Sequence, residues 1–179
     1  MPALDSPRLL VSVRNGAEAE AALAVVQQWV TENGLRLSPT KTQVGDCRVP
    51  GQGFEFLGYR FEAGQRWVRK KSLDRVKDKI RGKTGRTRGD SLARIITDLN
   101  RTLRGWFEYF KHAHVDTFRP LDAFIRRRLR TLLRKQLRKR SGTGRTLADH
   151  KLWTNDFFAQ AGLLALCGAW TEARHSRRG

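Results

Sequence analysis

Cysteine is nearly missing from this chain of 179 residues: Cys47 and Cys167 stand far apart and belong to no motif. That rules out a disulfide framework and points to a reduced compartment, with ordinary packing as the role of both thiols. Long apolar runs are missing too, since none approaches the roughly 18 residues a spanning helix needs. The opening MPALDSPRLLVSV has neither the charged start nor the apolar stretch of a signal peptide. The expectation is a cytoplasmic protein with no membrane partner. Acid is the third scarcity: 17 Asp and Glu face 36 Lys and Arg, a net charge of +19 at pH 7. Charge of that size says little about fold and much about partners, and nucleic acid is the first polyanion to consider.

Several chemistries lack their residues. The stretch GKTGRTRG, Gly82 to Gly89, has glycines and a Lys-Thr pair. No glycine-rich loop leads up to Lys83-Thr84, so it fails as a nucleotide phosphate loop and reads as a flexible basic loop. His112 and His114 have no cysteine or carboxylate set at ligand spacing, which leaves no metal site. Ser, His and Asp occur, but nothing arranges them as a triad.

What is present is mostly helical, an α+β chain. Leu9–Val13 is β-prone, and Ala17–Thr31 has helical periodicity with Leu23, Val26, Trp29 and Val30 on the side to be buried. Asn33-Gly34 stops that helix, because glycine accepts the left-handed conformation at C′. A short strand is expected through Val44, then an aromatic β run over Phe54–Phe61, with Gly64 as a turn and Trp67-Val68 pairing back. Composition shifts at Arg69 to basic and helical. Helices follow near Ser72–Arg81, over 90–110, and from Pro120 to about Arg140. Ser141–Thr146 reads as a linker, and Leu152–Trp170 as a small helical cap. The divisions drawn are 1–68, 69–140 and 141–179.

The helix over 90–110 has Leu92, Ile95, Ile96, Leu99, Leu103, Trp106, Phe107 and Phe110 at helical spacing, and Asp90 or Ser91 can cap it. Gly105 is out of place there, costing about 1 kcal/mol relative to alanine. A glycine beside Trp106 lets another backbone come close. The next helix is the most charged: nine of the fifteen residues from Arg126 to Arg140 are Lys or Arg, and no acid occurs from Ala123 to Ala148. Leu129, Leu132, Leu133 and Leu137 keep one side apolar. Such crowding is unfavourable unless anions neutralise it, and phosphates along a nucleic-acid strand do so while releasing counterions. Arg126, Arg127, Arg130, Arg134 and Arg138 are the expected phosphate contacts, with Lys83, Arg86, Arg88, Arg101 and Arg104 as further RNA-binding candidates.

Four patterns in order give a resemblance. Leu99-Asn100, Leu103-Arg104-Gly105-Trp106 and Tyr109-Phe110 form LN-x-x-LRGW-x-x-YF, which resembles the maturase-specific domain of group II intron reverse transcriptases. Gly34-Leu35, Leu37 and Lys41-Thr42 resemble the end of that family's palm. Phe54 and the run Phe56-Leu57-Gly58-Tyr59 resemble its primer-grip hairpin, and Trp153, Phe157, Phe158 and Gly162-Leu163 its ending. The resemblance implies a partial palm with a primer grip at Phe56, Leu57, Gly58 and Tyr59, then a three-helix thumb or maturase bundle and a small helical cap. Asn100, Gly105 and Trp106 are its structural motif residues.

The departure from that family is at the catalytic turn. Where the family has Tyr-Ala-Asp-Asp, this chain has Asp5-Ser6-Pro7-Arg8. Polymerisation needs clustered carboxylates to hold two metal ions, so no catalytic residue is assigned, and Lys41 would serve only in a completed palm. The chain reads as an amino-truncated remnant that binds structured RNA, the group II intron, and assists its splicing or mobility without polymerase activity of its own. RNA/DNA duplex is a further ligand on this reading. Mg²⁺ is expected only in a completed polymerase site or in the intron RNA itself. The alternatives are a piece of an RNA-directed DNA polymerase completed by a second reverse-transcriptase fragment, and an inert remnant.

Overall fold

The computed structural model describes residues 9–85, 89–137 and 146–176. Asp5, Ser6, Pro7, Arg8, Arg86, Arg88 and Arg138 lie outside the described residues, as does most of the expected linker. In chain order the elements are α1 (Gly16–Glu32), β1 (Phe54–Phe56), β2 (Tyr59–Glu62), β3 (Gln65–Val68), α2 (Lys70–Lys83) and α3 (Leu92–Phe110). A 3₁₀ turn (Val115–Thr117) then leads into α4 (Phe118–Gln136), α5 (Leu147–Leu152), α6 (Asn155–Gln160) and α7 (Leu166–His175). The architecture is therefore α+β and mostly helical.

The three short strands form one sheet in the order β1-β2-β3. The expected single run over Phe54–Phe61 is broken by a two-residue turn, with Leu57 at φ 46° and Gly58 at φ 81°. Ala63 (φ 51°) and Gly64 (φ 69°) make the second turn. Positive φ at both central residues is what a type I′ hairpin turn requires, because its twist matches that of the flanking strands. By contacts the chain divides into two units: one runs to Leu57 and includes Phe61–Gly64, and the other joins Gly58–Arg60 to everything from Gln65 onward.

In the first unit, α1 is well bounded and thinly packed. Asn15 caps it, its side chain accepting from the Glu18 N–H at 2.9 Å. At the other end Gly34 takes φ 69°, and the Gly34 and Leu35 amides donate to the Thr31 and Val30 carbonyls, a Schellman stop. The expected buried side is only partly buried: Val30 is 9% exposed, Leu23 and Val26 are half-buried, and Trp29 is 57% exposed. Leu9–Val13 is exposed irregular backbone rather than a strand, and residues 41–44 form a turn and coil. A lone β-prone segment has nothing to satisfy its N–H and C=O groups as a ladder would, so propensity does not decide there. Gly53 is sterically fixed, since a Cβ on it would lie 2.6 Å from the Phe61 carbonyl oxygen.

The second unit holds the core. Val76 and Ile80 of α2, Ile95, Leu99 and Leu103 of α3, and Leu121, Ile125, Leu129 and Leu132 of α4 are all buried. Each such side chain contributes about 1.5–3 kcal/mol. The helical periods of these three elements place those residues on single faces. Of the two possible caps on α3, Ser91 serves, accepting from the Arg94 N–H at 3.3 Å. Pro120 sits in the first turn of α4, where its missing N–H costs nothing. The α2 helix packs on α3 and α4, and α4 also packs on α7. Trp153, Phe158 and Leu166 bring the tail into the same core.

Candidate nucleic-acid interface

The motif residues first build the scaffold. A Cβ on Gly58 would lie 3.2 Å from Phe110 Cζ and 3.3 Å from Ser72 Oγ, so the close approach and the positive φ both call for glycine. Tyr59 is buried with its ring 5.1 Å from Phe110 and 6.2 Å from Tyr109, and its hydroxyl donates to the Tyr109 carbonyl. Burial pushes the Tyr59 phenol up, against the pull of the Arg66 charge. Two of the recognised patterns, FLGY and W-x-x-YF, thus pack on each other. Phe56 is half-buried, and Leu57 is 57% exposed at its hairpin tip.

Asn100 links the third and fourth patterns. Its Nδ2 donates to the Gly162 carbonyl at 2.7 Å, and its Oδ1 accepts from the Leu164 N–H at 2.9 Å. Both faces of one amide are used to hold a loop, which no residue but asparagine does at that length. Asp122 does similar work from α4, its carboxylate accepting from the Leu166 and Cys167 amides at the start of α7. Burial, with Asp122 beside it, pushes the Cys167 thiol up to about 11, so it is an inert packed thiol. Trp106 lies 4.9 Å from Phe110 and 6.0 Å from Phe118, its indole N–H buried without a partner among the described residues.

Burial divides the arginines of α4. Arg130 was expected on phosphate, yet it is 3% exposed. Its Nε donates to the Trp153 carbonyl at 2.8 Å, an Nη to Asn155 Oδ1 at 3.3 Å, and its guanidinium lies 5.4 Å over Phe158. Burial, then the nearby Arg126 charge, lowers its affinity for the proton. Arg134 is likewise turned inward, with Nη1 donating to Asp149 Oδ1 at 2.7 Å. Burial raises the Asp149 carboxyl, but the Thr146 hydroxyl and Arg134 outweigh it and hold the group below its usual range. Arg128, which the sequence reading did not single out, donates to Thr84 Oγ1 and to the Thr84 carbonyl, both at 2.9 Å. A cation there caps the carbonyl end of α2. Three arginines of α4 therefore hold the fold, because its apolar stripe is wide enough to draw neighbouring residues into contact with α2 and the tail.

The charges left over lie elsewhere. Arg101 and Arg104 of α3 are exposed and make no ion pair or hydrogen bond with any described residue. The same holds for Lys71, Arg75 and Lys79 of α2, which follow one another at i, i+4 and i+8. That spacing sets three cations along one side of the helix, each about 6 Å further along its axis. The signal was in the sequence, but the denser run in α4 outshone it. Arg126 and Arg127 are half-buried. Arg127 and Arg81 both lie over the Phe124 ring, at 5.3 and 5.4 Å. Lys83 pairs with Asp98 at 3.1 Å.

Gly105 is exposed in mid-helix, and a Cβ there would meet no described atom within 4 Å. Among the described residues no other backbone of this chain makes the expected close approach. Lys41 is exposed in a turn. The His114 ring lies 4.6 Å from that of Trp67, tilted by 44°, with its Nδ1 accepting from the Asp116 N–H. Among the described residues no three His, Cys, Asp or Glu gather to hold a metal ion, and no helix is long and apolar enough to cross a membrane.

Residues 73–153 match the family model for the group II intron maturase-specific domain. No curated protein matches the chain significantly. The matched span takes in most of α2, all of α3, α4 and α5, and ends on the buried Trp153 whose carbonyl Arg130 holds. Over that span the chain is similar to the group II intron maturase-specific domain.

Proposed function

We propose that the chain is an RNA-binding maturase-type module that holds folded group II intron RNA and assists its splicing or mobility, with no polymerase activity of its own. The observation that carries this reading is the sorting of cations among α2, α3 and α4, the helices that make up most of the matched span. Buried arginines of α4 hold helices together, while Lys71, Arg75, Lys79, Arg101 and Arg104 stand in solvent without acidic partners among the described residues. Uncompensated surface cations in rows are suited to phosphates, whose binding releases counterions. Mg²⁺ belongs on this reading to the RNA, whose own metal-bound core performs the splicing chemistry.

The test is competition binding with intron RNA at controlled salt. Displacement of the intron by any duplex of equal length would remove the specificity, and absence of binding near physiological salt would remove the function. A second reading, completion of a polymerase by a separate fingers-and-palm polypeptide, is favoured by the uncovered apolar side of α1, where Val25 is 66% and Trp29 57% exposed. Restored primer extension on mixing the two chains would support it, and failure would sink it.

A further inference from the structure

Gly105 stands at the centre of the exposed face of α3, and its missing side chain serves no described contact within the chain. Arg101 lies four residues before it and Tyr109 four after, so the three share one side of the helix at about 6 Å steps. Arg104 adjoins it, exposed and free of ion pairs among the described residues. Two acids lie close by: Glu108, which is paired with Lys111 at 2.7 Å, and Glu172 of α7, which lines a shallow pocket with Arg104 and Glu108. Tyr109 is 54% exposed although its ring is held by stacking on Tyr59. A flat gap in a helix surface, with two cations on one flank and a fixed aromatic ring on the other, matches a nucleic-acid strand: phosphate to arginine, sugar to bare backbone, base to ring. A partner helix fits poorly, since the positions four away are arginine and tyrosine, too large for close helix packing.

We propose that Gly105 is the point where a strand of the bound RNA comes into van der Waals contact with the α3 backbone, with Arg101 and Arg104 on its phosphates and Tyr109 stacked on a base. This rests on the RNA-binding reading above and adds the place and mode of contact.

The experiment compares the full-length chain with Gly105→Ala, Gly105→Val, Tyr109→Leu and the pair Arg101→Gln/Arg104→Gln. The probe is a transcribed group II intron RNA titrated over a range of salt, and each variant is also melted. Gly105→Ala should raise Tm by a few degrees, because alanine is the better helix former, while weakening RNA binding about tenfold with an unchanged salt slope. Gly105→Val should weaken it further. Tyr109→Leu should lower affinity severalfold, and the arginine pair should flatten the slope by about 1 to 2. Unchanged affinity in Gly105→Ala and Gly105→Val, with the arginine pair weakened, would overturn the contact and leave RNA binding standing. No binding by the wild-type chain would overturn both. Self-association of the wild-type chain that Gly105→Val abolishes, with RNA binding intact, would also overturn the proposal and assign the gap to a second copy.

Discussion

The unit that carries α2 to α7 keeps Ile80, Ile95, Leu99, Leu103, Leu129 and Leu132 wholly out of water. The unit that carries α1 has one buried apolar side chain among its described residues, Val30, and leaves Val25, Trp29, Leu35 and Val44 exposed. Both have capped helices and respectable local signals, so local propensity does not separate them. Burial does: an amphipathic helix gains its stability from what covers its apolar face, and among the described residues that cover is far more complete in the second unit. The maturase-specific span, residues 73–153, falls wholly in the second unit.

That contrast can be broken most forcefully in the core. Leu99→Ala should destabilise the second unit by about 2–5 kcal/mol, whereas Trp29→Ala should change the same transition by less than about 0.5 kcal/mol. Denaturant melts followed by circular dichroism check the pair. A large effect from Trp29→Ala would mean that α1 shares in the same cooperative core. A cooperative melt of the wild-type chain would also argue against an inert remnant.

The next test separates cations that hold the fold from those that face solvent. Arg130→Ala should cost about 2–4 kcal/mol, since it leaves the buried Trp153 carbonyl unpaired. Lys71→Gln/Arg75→Gln/Lys79→Gln should leave the melt nearly unchanged. Asn100→Ala should fall between them at about 1–3 kcal/mol, for its two hydrogen bonds to the Gly162–Leu164 loop. The smallest effect concerns pH. The Asp149 carboxyl is held below its usual range in the folded state, so its contribution is present above the ordinary carboxylate pKa, about 3.9, and is lost as the pH falls through the lower folded value. Acid titration of Asp149→Asn should lack that component.

Much of the fold was legible because helical periodicity and caps act locally: Ser91, Pro120 and Gly34 did what their residue types imply. The misses share one cause. Leu9–Val13 and residues 41–44 have β-prone residues, but a strand needs a neighbour that no local pattern supplies. For the site, charge density pointed to α4, while the structure gives Arg128, Arg130 and Arg134 to packing and leaves the sparser row on α2 in solvent. Which arginine of an amphipathic basic helix turns inward depends on the carbonyls and carboxylates of distant segments, such as Trp153 and Asp149, and composition does not carry that information. Asn100 and Gly58 were readable as motif residues, though not as the clamp and the close contact they form.

The most direct measurement is the salt dependence of intron RNA binding by the wild-type chain and by Lys71→Gln/Arg75→Gln/Lys79→Gln. The predicted result is a plot of log affinity against log salt whose slope flattens by about 2 to 3 in the variant, with an unchanged melting curve. A slope identical to that of the wild type would contradict the account and place the RNA on another face.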